Sequence, residues 1–385
     1  MPGRDMSSAV SAGHVFDGKI WLDNYGLLLE GGNIQALLPR ADIPRDIPHN
    51  NLGDLSLAPG LIDIQVNGGG GVMLNNNPSA EGVACMAQAH RQFGTTGLAP
   101  TVISDTPEVQ RAAATAVAQA REAGEMSVLA LHFEGPHFEP QRRGTHKAEM
   151  IRPISDSDLS WLASLQDFPV IVTLAPEHAA PGQIHALAAA GLIVCAGHTN
   201  ATYEQIQTSI DEGLRGFTHL FNAMSPLEAR APGTVGAALE SDSTWAGIIA
   251  DGHHVHPTSI RLAHRTKAPG KLLLVSDAMS TVGGPAHFEI YGEQISAKNG
   301  RLVNAEGKLA GSAIALIDAV RIAHEEAGIA LGECLRMASL YPATFLGMDE
   351  QLGRLQPGYR ADMLAFDKKY CVRDTWVAGQ HQRCA

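Results

Sequence analysis

The chain has 385 residues, 45% of them apolar and 18% charged, and a formal net charge of −12. That is the composition of an ordinary globular protein with room for one large domain or two smaller ones. An acidic chain without a lysine- or arginine-rich stripe leaves no nucleic-acid footprint, and no apolar run approaches the roughly 20 residues of a membrane span. Neither nucleic acid nor membrane is expected as a partner.

The opening stretch "MPGRDMSSAV" lacks the apolar core of a secretory leader, which makes a cytoplasmic location the expectation. Residues 1–58 carry short alternating segments, "HVFDGKIWLD" and "GLLLEGGNIQALLP", broken by glycine turns, and read as β-strands. Eight short apolar runs follow: "LIDIQV" (61–66), "GLAPT" (97–101), "VLALH" (128–132), "PVIVTL" (169–174), "LIVCA" (192–196), "GFTHL" (216–220), "AGIIA" (246–250) and "KLLLVS" (271–276). Most lack alternation, as parallel strands covered on both faces do. Between them lie helical patterns such as "AEGVACMAQAHRQFG" and "PGQIHALAAAG", each closed by a glycine. Strand and helix alternating eight times predict a (β/α)8 TIM-type barrel over residues 59–346, with a doubly wound sheet as the runner-up. The tail "GRLQPGYRADMLAFDKKYCVRDTWVAGQ" alternates again and turns at Pro357-Gly358. Residues 1–58 and 347–385 are therefore expected to pair into one small, discontinuous β-sandwich domain.

The five cysteines, Cys85, Cys195, Cys334, Cys371 and Cys384, show no CxxC spacing and read as reduced thiols. The 17 histidines shift any metal chemistry toward imidazole and carboxylate ligands. In a barrel of this kind the site is built from the residues that close each strand. Six of the eight runs close on His, Asp, Glu or an amide. The first closes on Gln65 and Asn67 and runs into four glycines, and the third on His132, Glu134 and His137. The fifth offers His198, the sixth His219 and Asn222, the seventh Asp251, His253, His254 and His256, and the eighth Asp277. Glu134, His198 and His219 make a donor set that holds a divalent cation and leaves a position open for water or substrate. Zn2+ is the first expectation, and Fe2+, Co2+ or Mn2+ suits the same donors. A bound cation brings the pKa of its water toward about 7, and Asp277 is placed to take that proton and pass it to a leaving group. Asp277 also reads as a helix N-cap before "AMSTVGG".

With these residues in hand, the chain resembles the N-acetylglucosamine-6-phosphate deacetylases of the metal-dependent amidohydrolase superfamily. The motifs that carry the resemblance are "APGLIDIQVNG", "HFEGPHF…RRGTHK", "AGHTNA", "THLFNAM…APG", "ADGHHVHP", "LVSDAMS", "LAGS" and "GRLQPGYRADMLAFD", in this order along nearly the whole chain. The resemblance implies hydrolysis of N-acetyl-D-glucosamine 6-phosphate to D-glucosamine 6-phosphate and acetate, in amino-sugar catabolism or cell-wall recycling. It implies one metal per subunit on Glu134, His198 and His219, Asp277 as acid/base and His146 beside the acetyl carbonyl. Thr145, Asn222, Ala223 and Asp251, with Leu309, Ala310 and Gly311, would line the sugar pocket, and Arg230 and His254 would bind the phosphate. Arg142, Arg143 and Lys147 would add to a positive mouth. The family further implies a homodimer in which Arg230 reaches the neighbouring active site. Gln65 and Asn67 fall where many amidohydrolases place His-x-His for a second metal, so they are expected to line an emptied second-metal position. His137, His253 and His256 receive no role. The rival substrate is N-acetylgalactosamine 6-phosphate, and the rival class is a sugar-phosphate-binding barrel without turnover. A cyclic-amide hydrolase or deaminase is disfavoured, because "TLAPEHAA" after the fourth strand offers no bridging lysine.

Overall fold

The computed structural model describes residues 7–298 and 300–384. Residues 1–6, the start of the segment read above for a leader, lie outside them. All eight apolar runs supply strands, and these follow one another in a single parallel sheet in strict chain order. The first, Leu61–Val66, matches the run read from the sequence, and the second extends over Thr95–Ile103. The third lies slightly later than its run, at Leu131–Glu134, which puts Glu134 at its carboxyl end. The remaining five are Val170–Leu174, Ile193–Ala196, Gly216–Phe217, Trp245–Ile249 and Leu272–Val275. Both faces of the sheet are covered, so the apolar strands are buried along nearly their whole length. The first and eighth strands then meet. Asp277 N–H donates to the Gln65 carbonyl at 3.0 Å, Asn67 N–H donates to that of Ala278 at 2.9 Å, and Val66 pairs with Ala278. The barrel closes at the two strand ends that carry Gln65, Asn67 and Asp277.

Helices between the strands begin where the sequence supplies caps. The Ser79 hydroxyl accepts from Gly82 N–H at 3.0 Å to start Ala80–Arg91, and Thr106 with Pro107 behind it starts Pro107–Glu122. The small domain expected from both chain ends is present. Strands Ser8–Phe16, Trp21–Glu30, Asn33–Pro39, His49–Asn51 and Ser56–Pro59 join Met363–Phe366, Val372–Val377 and Gln380–Arg383 in one mixed sheet. Val15, Leu27, Ile34, Leu57, Met363 and Trp376 share its core.

The glycine run after the first strand is a tight hairpin, Gly68–Gly69 against Val72–Met73, turned by Gly70 (φ 63°) and Gly71 (φ 86°). A Cβ on Gly68 would stand 2.5 Å from the Val72 carbonyl oxygen and 2.7 Å from Ser280 N. The run is glycine because backbone packs on backbone there. One element was not anticipated: strands His287–Ile290, Glu293–Lys298 and Arg301–Leu302 form a small sheet after the eighth barrel strand. Phe288, Ile290, Ile295 and Leu302 pack it on Met73, Ile103 and Met279. Among the described residues, no helix is long and apolar enough to cross a membrane.

Candidate metal centre

At the carboxyl end of the barrel, the backbone turns sharply as it leaves the strands. His198, His219 and Asp277 all take positive φ, at 50°, 39° and 53°, as does Ala223 at 52°. Each such non-glycine residue costs about 1–3 kcal/mol, which the surrounding packing must offset. The turns bring together Glu134 Oε1, His198 Nε2 and His219 Nε2. The carboxylate oxygen lies 3.2 Å from the first nitrogen and 2.9 Å from the second, and the nitrogens are 3.0 Å apart. All three side chains are buried.

The chemistry of this convergence fits a cation. His198 Nδ1 sits 2.8 Å from the Arg142 carbonyl, which can only accept, so that nitrogen carries the ring proton. Nε2 of the neutral ring then presents a lone pair to an anionic oxygen and to a second imidazole nitrogen. Electron pairs packed this closely in a buried site call for a positive charge between them, and a carboxylate with two imidazoles is a common catalytic-metal set. The His198 ring is further fixed by stacking on Phe138, centroids 4.2 Å apart.

The amides of the first strand are engaged rather than idle. Gln65 Nε2 donates to Glu134 Oε2 and to Asp277 Oδ1, both at 3.1 Å, and Asn67 Nδ2 donates to the same Asp277 oxygen at 2.6 Å. One amide therefore sits between two buried carboxyl groups, and the Asp277 Oδ2 atom stays outside the clamp. No helix follows Asp277, so the N-cap reading of that residue finds no helix to cap. Burial and the neighbouring Glu134 push the Asp277 carboxyl well above the ordinary range. At His146, Ser104 N–H donates to Nδ1 at 3.2 Å and the Ser104 hydroxyl lies 2.8 Å from the same atom. Nδ1 is thus an acceptor, and the neutral ring carries its proton on Nε2. Burial, followed by the nearby His198, holds the His146 pKa well below its usual value, so the ring stays neutral.

These groups open onto a cavity of about 340 Å3. Thr145, His146, Asn222, Ala223 and His254 line it, as do Leu309 and Gly311. Six residues given a role in the sequence reading lie outside its wall: Arg143 and Lys147 of the expected positive mouth, and Gln65, Ala310, Asp251 and Arg230. Gln65 lies behind the wall, and Ala310 is fully buried with its N–H on the Leu302 carbonyl at 2.9 Å. Asp251 stands behind His254, accepting from its Nδ1 at 2.6 Å and its backbone N–H at 2.7 Å. Arg230 is exposed on its loop and is not part of this cavity's wall. Gln141 and Lys308 line the cavity although the sequence reading did not single them out, and Arg142, noted there only for its charge, joins them. Their neighbours in "PQRRGTH" and "KLAGS" were the available signal. The unassigned histidines have structural work: His137 Nδ1 lies 3.1 Å from the Arg152 carbonyl, His253 Nδ1 accepts from Arg301 Nε at 3.2 Å, and His256 caps helix Pro257–Thr266.

Residues 56–381 match the model of the amidohydrolase family. The chain is 43% identical to an N-acetylgalactosamine-6-phosphate deacetylase of a Shewanella species, over 88% of this chain and 86% of that protein. It is 34% identical to an N-acetylglucosamine-6-phosphate deacetylase of Haemophilus influenzae, over 93% and 95% of the two chains. The crystal structure of an N-acetylglucosamine-6-phosphate deacetylase from Pasteurella multocida superposes with a TM-score of 0.95 at 36% identity, covering 98% of this chain and all of that one.

Below the site, Asp63 is buried with Oδ1 on the N–H groups of Gln65 and Ser276, at 3.2 and 3.3 Å, and Oδ2 without a partner. Burial pushes its carboxyl from the usual 3.8 up to about 7. The folded state thus keeps a proton that the unfolded chain releases near pH 4, so this residue's contribution is complete below that pH and is lost as pH rises toward 7. Urea unfolding of the metal-free protein should show the Asp63→Asn variant losing up to about 1.4 kcal/mol per pH unit of falling stability across that window. An unchanged slope would contradict this.

Proposed function

The chain belongs to the amidohydrolase family as an amino-sugar-6-phosphate deacetylase, and on that premise we propose N-acetyl-D-galactosamine 6-phosphate as its preferred substrate. The observation that carries this choice is the 43% identity to a deacetylase of that name, against 34% and 36% for two named for the gluco epimer. The gluco epimer, put first by the motifs, is the second reading, supported by the near-complete superposition on the Pasteurella multocida enzyme.

The reaction adds water across an amide and releases acetate and the free amino sugar phosphate. A divalent cation held by Glu134, His198 and His219 supplies an acidified water and polarises the acetyl carbonyl when bound. The residues of this chain do the rest. His146 Nε2–H donates to the acetyl oxygen as negative charge develops there. Asp277 takes a proton from the attacking water on Oδ2 and delivers it to the departing amine. Gln65 and Asn67 hold Oδ1, so the carboxyl group keeps one orientation through both transfers. Positive charge at the triad opposes the upward push that burial and Glu134 exert on the Asp277 pKa, keeping it ionised to act as base. His254, oriented by Asp251, binds the phosphate together with Arg230 from a second copy of the chain. Arg230 is free to do so because it is exposed and lies outside the cavity of its own chain. Next to that loop, Leu227 and Leu262 are 56% and 55% exposed on an apolar groove that also includes Phe221, Pro232 and Leu239. A homodimer covers that face.

Acetate release from both epimers, compared as kcat/KM, tests the reading. We expect turnover that is lost with chelator, a kcat lower by about 10²–10⁴-fold in Asp277→Asn, and a preference for the galacto epimer. A gluco preference would overturn the choice of epimer alone, whereas no acetate from either by the metal-replete protein would overturn the role of the site. The dimer has its own test. The Leu227→Lys, Leu262→Lys double variant should sediment as a monomer with KM raised about tenfold or more, as expected when a charge-assisted phosphate contact is lost. A monomer with an unchanged KM would refute the shared site.

A further inference from the structure

The fourth barrel strand places no side chain in the cavity, yet Glu177 and His178 of the loop after it meet Glu139 of the loop after the third strand in a second cluster of possible metal ligands. Its hydrogen bonds say what it does instead. Glu139 Oε1 accepts from Gln141 N–H at 3.0 Å, and Oε2 lies 2.7 Å from His178 Nε2. Glu177 Oε1 accepts from Asn200 N–H at 2.6 Å, and Oε2 accepts from the Thr199 hydroxyl. Every carboxylate oxygen in the cluster is engaged with protein, and both oxygens of Glu177 are spent on the two residues that follow His198.

From Asn200 the chain of contacts returns to the metal ligand. Asn200 Oδ1 accepts from Arg142 Nε at 2.5 Å, and the Arg142 carbonyl accepts from His198 Nδ1 at 2.8 Å. The same segment braces the sugar side of the cavity, because Thr199 N–H donates to the carbonyl of Ala223 at 3.0 Å. His198 needs this support, since its positive φ is a conformation that a non-glycine residue keeps only under constraint. A single carboxylate thus ties together the loops after the third, fourth and fifth strands.

We propose that Glu177 is a positioning residue that holds the strained His198 turn, and through Asn200 and Arg142 its imidazole, in the geometry that binds the cation. The proposal rests on the reading of Glu134, His198 and His219 as the metal ligands. Groups that orient metal ligands without touching the metal commonly change affinity by 10- to 100-fold. The test measures zinc retention by the full-length protein in competition with a chromophoric chelator, which does not depend on turnover. Glu177→Gln preserves size but turns one acceptor into a donor facing Asn200 N–H or the Thr199 hydroxyl. Zinc affinity in that variant should fall by about 10- to 100-fold, with the thermal midpoint of the metal-free protein unchanged. Asn200→Ala, which removes only the link to Arg142, should give a smaller loss in the same direction, and Glu177→Asp should recover part of it. His219→Ala is the control that separates the two claims. If His219→Ala loses zinc while both Glu177→Gln and Asn200→Ala keep parental affinity, Glu177 has no positioning role. If His219→Ala retains zinc, the metal reading itself has failed and this proposal falls with it.

Discussion

The site depends on one buried carboxylate whose two oxygens face opposite ways. Glu134 Oε1 points at two imidazole nitrogens within 3.2 Å, and Oε2 is taken by the side chain of Gln65. An isolated anion is costly at this depth. An amide N–H satisfies one oxygen, and a cation bound at the triad would satisfy the other. Gln65 uses its second N–H on Asp277, so Glu134 and the carboxylate proposed to transfer protons are joined through a neutral group rather than left to repel each other. Asn67 completes the arrangement from the same strand.

The barrel supplies the precision this needs. Seven of its eight strand ends converge on one mouth, and closure occurs where the first strand meets the loop after the eighth, so the Asp277 clamp is also the seam of the sheet. Left-handed turns at His198, His219 and Asp277 aim side chains inward at a cost in backbone energy, and each is braced by neighbours. The segment after the extra sheet forms one wall with Lys308, Leu309 and Gly311: Arg143 pairs with Glu306 at 2.6 Å, and Glu306 pairs with Lys308 at 2.8 Å, joining the loop of His146 to the one bearing Leu309.

Much of this was legible in the chain. Unalternating apolar runs announced a parallel sheet covered on both faces, and the residues closing them named the triad and Asp277. What could not be read were relations between distant segments. The type of Gln65 and Asn67 is visible in sequence, but the carboxylates their N–H groups reach are not. The glycines after them suggested a tight approach, yet Ser280, the backbone they meet, lies far along the chain. "HFEIYGEQISAKNGRL" has the alternation of a hairpin, but none of its polar residues closes a barrel strand, the pattern that points to the site. Glu177 was invisible for a related reason: its importance lies in backbone and hydroxyl partners that only folding brings within reach.

Amides, not imidazoles, stand beside the triad, which is the ground for the proposal of a single cation. Amide oxygens compete poorly with imidazole for zinc-like metals, and here the amide nitrogens face the carboxylates. Elemental analysis of the purified protein after exhaustive dialysis against metal-free buffer measures this directly. One tightly held equivalent of divalent metal per chain is expected, falling to none in Glu134→Gln. Two tight equivalents per chain, or an unchanged content in that variant, would contradict the proposal.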